Sequence, residues 1–281
     1  MPESPPASPC TRSPRVAAES VQHHEDSIAA FVTRVRTRED VLAVIVDGSV
    51  ASGTERADSD VDLVLVVTEE GFERAWRDNR LSYVERESIT YEGGYYDLKI
   101  ASRSYLRRAV DHADDPMRAS LLHARIAWSR VDDLEALVAA IAQLPDEMWE
   151  QRMASFIAQL RLHGGYFLKQ AVEHDNDFLL HHAAVHMVGA GGRALLALNR
   201  TLFQGQKYLD QTLAELDQVP AGYAEASRAL LRQPSMATAA AYRELVESFH
   251  AWPLTEEQTL STFVRDNELA WYSGRSPIEY A

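Results

Sequence analysis

Asp60 and Asp62 stand one residue apart at the head of an apolar run, ADSDVDLVLVV. A Gly48-Ser49 turn about ten residues earlier closes another apolar run, VLAVIV. Side chains alternate faces along a strand, so the two carboxylates point one way while Val61, Leu63, Leu65 and Val67 point the other, toward a core. Two adjacent carboxylates repel unless a cation lies between them. A hard divalent ion that prefers oxygen ligands, such as Mg²⁺, suits that place. A Gly-Ser turn after a strand offers backbone N–H groups and a hydroxyl to a phosphate. Glycine is expected there because a Cβ would block the approach of phosphate oxygens to the backbone. The chemistry these residue types could perform together is metal-dependent phosphate transfer.

With that spacing, Gly48, Ser49, Asp60 and Asp62 resemble, position by position, the signature of the DNA polymerase β-type nucleotidyltransferase superfamily, and Ser59 also fits. The form GSVASGTERADSDVDL is similar to the small bacterial members and the antibiotic nucleotidyltransferases. The family carries a third carboxylate on a neighbouring strand. Asp97 in YYDLKI, after the turn Glu92-Gly93-Gly94, is the candidate, with a surface ion pair to Lys99 as its ordinary alternative. The segment 194–209, ALLALNRTLFQGQKYL, is similar to part of the helical C-terminal domain of proteins related to kanamycin and lincosamide nucleotidyltransferases.

The resemblance implies a catalytic and metal-binding trio of Asp60, Asp62 and Asp97. Asp60 and Asp62 would bridge two Mg²⁺ ions, and Asp97 would complete the ion nearest the attacking hydroxyl. Gly48 and Ser49 would position the β- and γ-phosphates, and Lys207 would reach the triphosphate. The implied activity moves a nucleoside monophosphate, AMP first among them, from ATP or another nucleoside triphosphate to a hydroxyl of a small molecule and releases pyrophosphate. An aminoglycoside-type antibiotic is the leading acceptor, which would make the enzyme one of antibiotic resistance. The alternatives are a protein-adenylylating enzyme of the toxin–antitoxin kind and a catalytically inactive nucleotide-binding scaffold.

Composition narrows the field. A chain of 281 residues has room for two ordinary domains. A net charge of −14 argues against a general nucleic-acid binder and is compatible with a cationic substrate. The single cysteine, Cys10, excludes an internal disulfide and favours a cytoplasmic setting. The start MPESPPASPCTRSPR has no apolar core of a secretory signal, and no run is long enough to span a membrane, so no membrane association is expected.

The elements that must position these residues follow from periodicity. Residues 1–14, rich in Pro and Ser, are expected to be a disordered tail. A nucleotidyltransferase domain is expected over 15–145: a helix over about 17–36, strands at about 41–47, 61–67, 82–91, 95–101 and 125–129, and helices at about 69–78 and 132–143. Over 146–281 the pattern is helical throughout, which predicts a substrate-binding helical domain with Gly164-Gly165 as a kink. The fold class is therefore α+β, a mixed sheet flanked by helices and followed by an all-α bundle.

Other candidates have ordinary readings. His182 and His186 share a helix face, but without a partner motif for zinc they are assigned to packing or substrate contact. Arg118 and His123 have the spacing of a ribonuclease motif, which is read as coincidence. Arg56 is read as a loop residue. Glu147, Glu150, Glu173, Asp175 and Asp177 could line a cationic-substrate pocket, supply a general base, or simply be solvated helix ends.

Overall fold

The computed structural model describes residues 14–278, with side chains from residue 22 onward. The tail expected over 1–14, with Cys10, lies outside the described residues save for Pro14. The chain divides into two compact units. The first runs to Asp111 and takes in Ser120–Ala142, and the second comprises His112–Ala119 and the chain from Gln143. His112–Ala119 thus joins the second unit although it falls inside the range expected for the catalytic domain.

The first unit is built on five strands: β1 (Val41–Val46), β2 (Val61–Val67), β3 (Ser82–Glu85), β4 (Tyr96–Ser102) and β5 (Arg125–Ser129). They lie in the order β3-β4-β2-β1-β5. β2 and β4 are parallel and the other pairs antiparallel, so the sheet is mixed as expected. β1 and β2 are rich in Val and Ile and almost wholly buried, as fits central strands covered on both faces. Around them lie α1 (Pro14–Val35), α2 (Gly48–Ser52), α3 (Glu69–Arg77), α4 (Arg103–His112) and α6 (Leu134–Ala142), while α5 (Asp115–Leu121) falls mostly in the second unit. Ile28, Phe31 and Val35 of α1 pack on Val44, Val46, Leu63, Leu65 and Leu98, one face of the sheet. The opposite set of alternating positions includes Asp62 and Asp97.

Local signals explain several boundaries. Thr68 Oγ1 accepts from Gly71 N–H at 3.2 Å and caps α3, whose first turn is acidic and last turn basic, complementing the helix dipole. The strand expected over 82–91 stops at Glu85. Ser88 takes φ +70°, which breaks the ladder, and Thr90 turns instead to α1, where its N–H donates to Ser27 Oγ. Helix α4, absent from the sequence reading, starts directly after β4. Its buried residues, Leu106 and Ala109, are too few among charged ones to announce a helix.

The second unit is all-α. Its helices are α7 (Asp146–Leu162), α8 (Leu168–Glu173), α9 (Asp177–Leu198), α10 (Leu209–Ala214), α11 (Tyr223–Arg232), α12 (Met236–Glu247) and α13 (Thr259–Asp266). Between α7 and α8 the chain stays helical through one π turn, His163–Phe167, at the Gly164-Gly165 pair. Helix α9 is the centre of the bundle. At Gly191 an added Cβ would lie 2.3 Å from the Tyr242 hydroxyl oxygen. That hydroxyl donates to Val188 O at 3.2 Å and pairs with Tyr223 at 2.9 Å. The glycine therefore lets α12 seat a buried tyrosine against α9.

Candidate active site

Parallel pairing of β2 with β4 sets Asp62 directly opposite Asp97. Asp60, two residues before Asp62, shares its face. One carboxylate oxygen from each of Asp60, Asp62 and Asp97 lies within 4.8 Å of the others. Among the described residues no other group of three or more metal-capable side chains comes together this way. The donor set is entirely anionic oxygen, which suits a hard divalent cation rather than a thiophilic one.

Gly48 is built into this cluster. Its φ is +66°, and a Cβ there would lie 2.0 Å from Asp62 Oδ2. The sequence reading placed glycine at this position for a phosphate. The fold requires it already for its own carboxylate and for the left-handed turn that starts α2. Ser49 follows in the first turn of α2.

A fourth carboxylate, Asp47, was missed. It ends an otherwise apolar strand immediately before the Gly-Ser turn, which is the one signal that marked it. Its backbone N–H donates to Asp62 O at 3.1 Å, and its side chain is buried with Oδ1 lacking any hydrogen-bond partner. Lys99 Nζ stands 4.0 Å from Asp47 Oδ2, so the ion pair of Lys99 in the structure is with Asp47. Burial pushes the Asp47 carboxyl up, and the charge of Asp97 adds to this while Lys99 works against it. Asp62 is pushed up to about 6, first by burial, then by the negative charges of Asp47 and Asp60, with Lys99 opposing. Crowded carboxylates with raised proton affinity are the electrostatic signature of a site short of positive charge.

The spacer that delivers Asp60 is tied down on its backbone. Ser59 O accepts from Tyr91 Oη at 2.6 Å and from His24 Nε2 at 3.1 Å, and Ala57 O accepts from His23 Nε2 at 3.1 Å. Arg56 is exposed and its guanidinium pairs with Asp58 at 3.1 Å, as a loop residue would.

Lys207 belongs to the second unit. It is exposed in a single 3-10 turn, Gln206–Tyr208, with its ammonium 5.1 Å from the centre of the Tyr208 ring. Of the acidic residues Glu147, Glu150, Glu173, Asp175 and Asp177, Glu173 pairs with Lys169 at 3.6 Å, and none joins a metal-capable cluster among the described residues. His182 and His186 pack ring to ring at 4.2 Å, with His163 stacked on His186 at 4.9 Å. Arg118 is buried and donates to the backbone carbonyls of Ala113 and Gln143.

No helix among the described residues is long and apolar enough to cross a membrane. No relative among curated proteins matches the chain. A nucleotidyltransferase-like protein from Exiguobacterium sibiricum 255-15 is similar in structure at 12% identity, with a TM-score of 0.46, over 89% of this chain and 79% of that one. Residues 28–109, which span β1 to β4 and hold the carboxylate trio, match the model of the nucleotidyltransferase domain family. The chain therefore carries a nucleotidyltransferase domain over these residues and is an enzyme of the transferase class.

Proposed function

We propose that this protein is a Mg²⁺-dependent nucleotidyltransferase that moves AMP from ATP to a hydroxyl of a small molecule and releases pyrophosphate. The observation that carries the reading is the meeting of Asp60, Asp62 and Asp97 within 4.8 Å inside the segment that matches the nucleotidyltransferase domain. Asp60 and Asp62 would hold two Mg²⁺ ions between them, and Asp97 would bind the one on the acceptor side. When bound, the ions supply Lewis acidity to the acceptor hydroxyl and counter-charge to the leaving pyrophosphate. Gly48 leaves room for Asp62 to keep its place, and Gly48 with Ser49 borders the triphosphate. Lys207, an exposed ammonium, is assigned to triphosphate binding. Asp47 and Lys99 set the charge behind the trio.

The acceptor is assigned to a cationic small molecule of the aminoglycoside type, bound with the help of the helical unit. The net charge of −14 supports this class, since an acidic protein attracts cations. The same charge speaks against nucleic acid as acceptor. Incubation with labelled nucleoside triphosphates, Mg²⁺ and a panel of aminoglycosides and lincosamides, read by mass spectrometry, tests the reading. A nucleoside monophosphate adduct on one compound supports it, and adducts confined to protein contradict it.

A further inference from the structure

The segment between the Gly-Ser turn and β2 has few apolar side chains to anchor it, yet it must deliver Asp60 to within reach of Asp62 and Asp97. Its anchor is polar and comes from elsewhere. His23 and His24 lie on α1 and Tyr91 in the loop between β3 and β4. Together they donate three hydrogen bonds to two carbonyls of the segment, Ala57 O and Ser59 O, the second being that of the residue before Asp60. A carbonyl only accepts, so both imidazoles carry their proton on Nε2. His24 is fully buried. Its Nδ1 has no hydrogen-bond partner. The donors are themselves held. The His23 ring stacks on Tyr91 with centroids 4.3 Å apart, and Thr90 Oγ1 donates to His23 O at 2.8 Å. Tyr96 Oη donates to Ser27 O at 2.7 Å, which joins α1 to β4.

Ser52 and Thr54 close the turn that follows α2, so the three hydrogen bonds act on the segment beyond that turn. We propose that His23, His24 and Tyr91 are positioning residues that clamp the Ala57–Ser59 backbone and thereby hold Asp60 in register with Asp62 and Asp97 for a divalent cation. The inference rests on the reading of the trio as a metal site. His23 and His24 precede the segment that matches the nucleotidyltransferase domain, so part of the clamp is supplied from outside it. The clamp also gives α1 a part in the chemistry: a helix that covers one face of the sheet with Ile28, Phe31 and Val35 would fix, through residues four to twelve positions earlier, a metal ligand.

Mn²⁺ titration of the full-length protein without nucleotide, followed by the electron paramagnetic resonance of free Mn²⁺, tests this alongside a thermal melt of each variant. Tyr91→Phe keeps the ring and its stack on His23 and removes only the donor to Ser59 O. It is expected to weaken Mn²⁺ binding about 3–10-fold, as the loss of one hydrogen bond implies. His24→Ala is expected to weaken it further. His24→Gln, whose amide can still donate, is expected to recover part of that loss. A merely structural role would lower the melting temperature and leave the Mn²⁺ affinity of the folded protein unchanged, and that result overturns the proposal. Should His24→Ala fail to fold, Tyr91→Phe decides alone. Asp62→Asn separates the two readings. If the wild type binds Mn²⁺ no better than Asp62→Asn, the metal site and the clamp fall together. If Asp62→Asn loses binding while Tyr91→Phe keeps it in full, only the clamp falls.

Discussion

Gly48 and Asp62 occupy one another's space: the position of a Cβ on Gly48 is 2.0 Å from Asp62 Oδ2. The turn after β1 and the Asp62 carboxylate of β2 are thus packed so closely that any side chain at Gly48 must displace the carboxylate. Gly48→Ala is expected to destabilise the protein by about 1–2 kcal/mol from its left-handed backbone. It should also displace the Asp62 carboxylate and sharply reduce divalent-ion affinity. Denaturant melts and a Mn²⁺ titration check both effects, and an alanine variant with full metal affinity would show that Asp62 tolerates the shift.

Asp60→Asn and Asp62→Asn are each expected to nearly abolish nucleotidyl transfer while leaving the fold intact. Removing one negative charge from the crowd should stabilise the metal-free protein. Turnover of each variant, with a melt in the presence of chelator, measures the two halves of this expectation separately.

The raised Asp62 pKa has a definite sign for stability. The carboxyl goes from its ordinary value of 3.8 to about 6 on folding. Below about pH 4 it is protonated in both states and contributes nothing. Between about pH 4 and 6 the folded protein holds a proton that the unfolded chain has released, so stability falls as pH rises through that window. Asp47, shifted in the same direction by burial, adds to the slope. Melting temperatures recorded between pH 4 and 8 without metal should show this fall, Asp62→Asn should flatten it, and a saturating divalent cation should offset it above pH 6.

Much of this site was legible in the sequence because strand alternation and the Gly-Ser spacing are local. Asp60, Asp62 and Gly48 are fixed by residues within about fifteen positions of one another. Asp97 could be named but not placed, since its register against Asp62 depends on the parallel crossover through α3 and β3. Asp47 and the His23-His24-Tyr91 clamp were not legible. Their partners lie tens of residues away, and an Asp beside a turn or a His on a helix has no periodicity of its own. The strand expected over 82–91 failed for a related reason. Thr90 has strand propensity, but its hydrogen bonds to Ser27 and His23 on α1 outweigh the ladder.

Lys99 offers a charge test. Its ammonium acts on both Asp47 and Asp62. Lys99→Met removes that standing counter-charge and is expected to tighten binding of a divalent cation to the nucleotide-free protein. The gain should be on the order of 1 kcal/mol, about fivefold, the size of a Coulomb interaction near 4 Å in a water-like medium. Titrations at low and high salt check it, and the effect should shrink as salt rises.

Lys207→Ala is expected to raise the apparent KM for the triphosphate and lower turnover, with a loss on the order of 1–3 kcal/mol for a charge-assisted contact. Steady-state kinetics with varied ATP measure it, and unchanged constants would return Lys207 to the solvated surface of the helical unit.

The central claim is that Asp60, Asp62 and Asp97 bind a divalent cation that in turn holds the nucleotide. Calorimetric titration with a non-hydrolysable ATP analogue tests it most directly, in Mg²⁺ and in excess chelator, on the wild type and on Asp62→Asn. The account predicts that wild-type affinity in Mg²⁺ falls at least about tenfold, about 1.4 kcal/mol, on chelation. Asp62→Asn should bind equally weakly in both conditions. Equal affinity of wild type and variant in Mg²⁺ would contradict it.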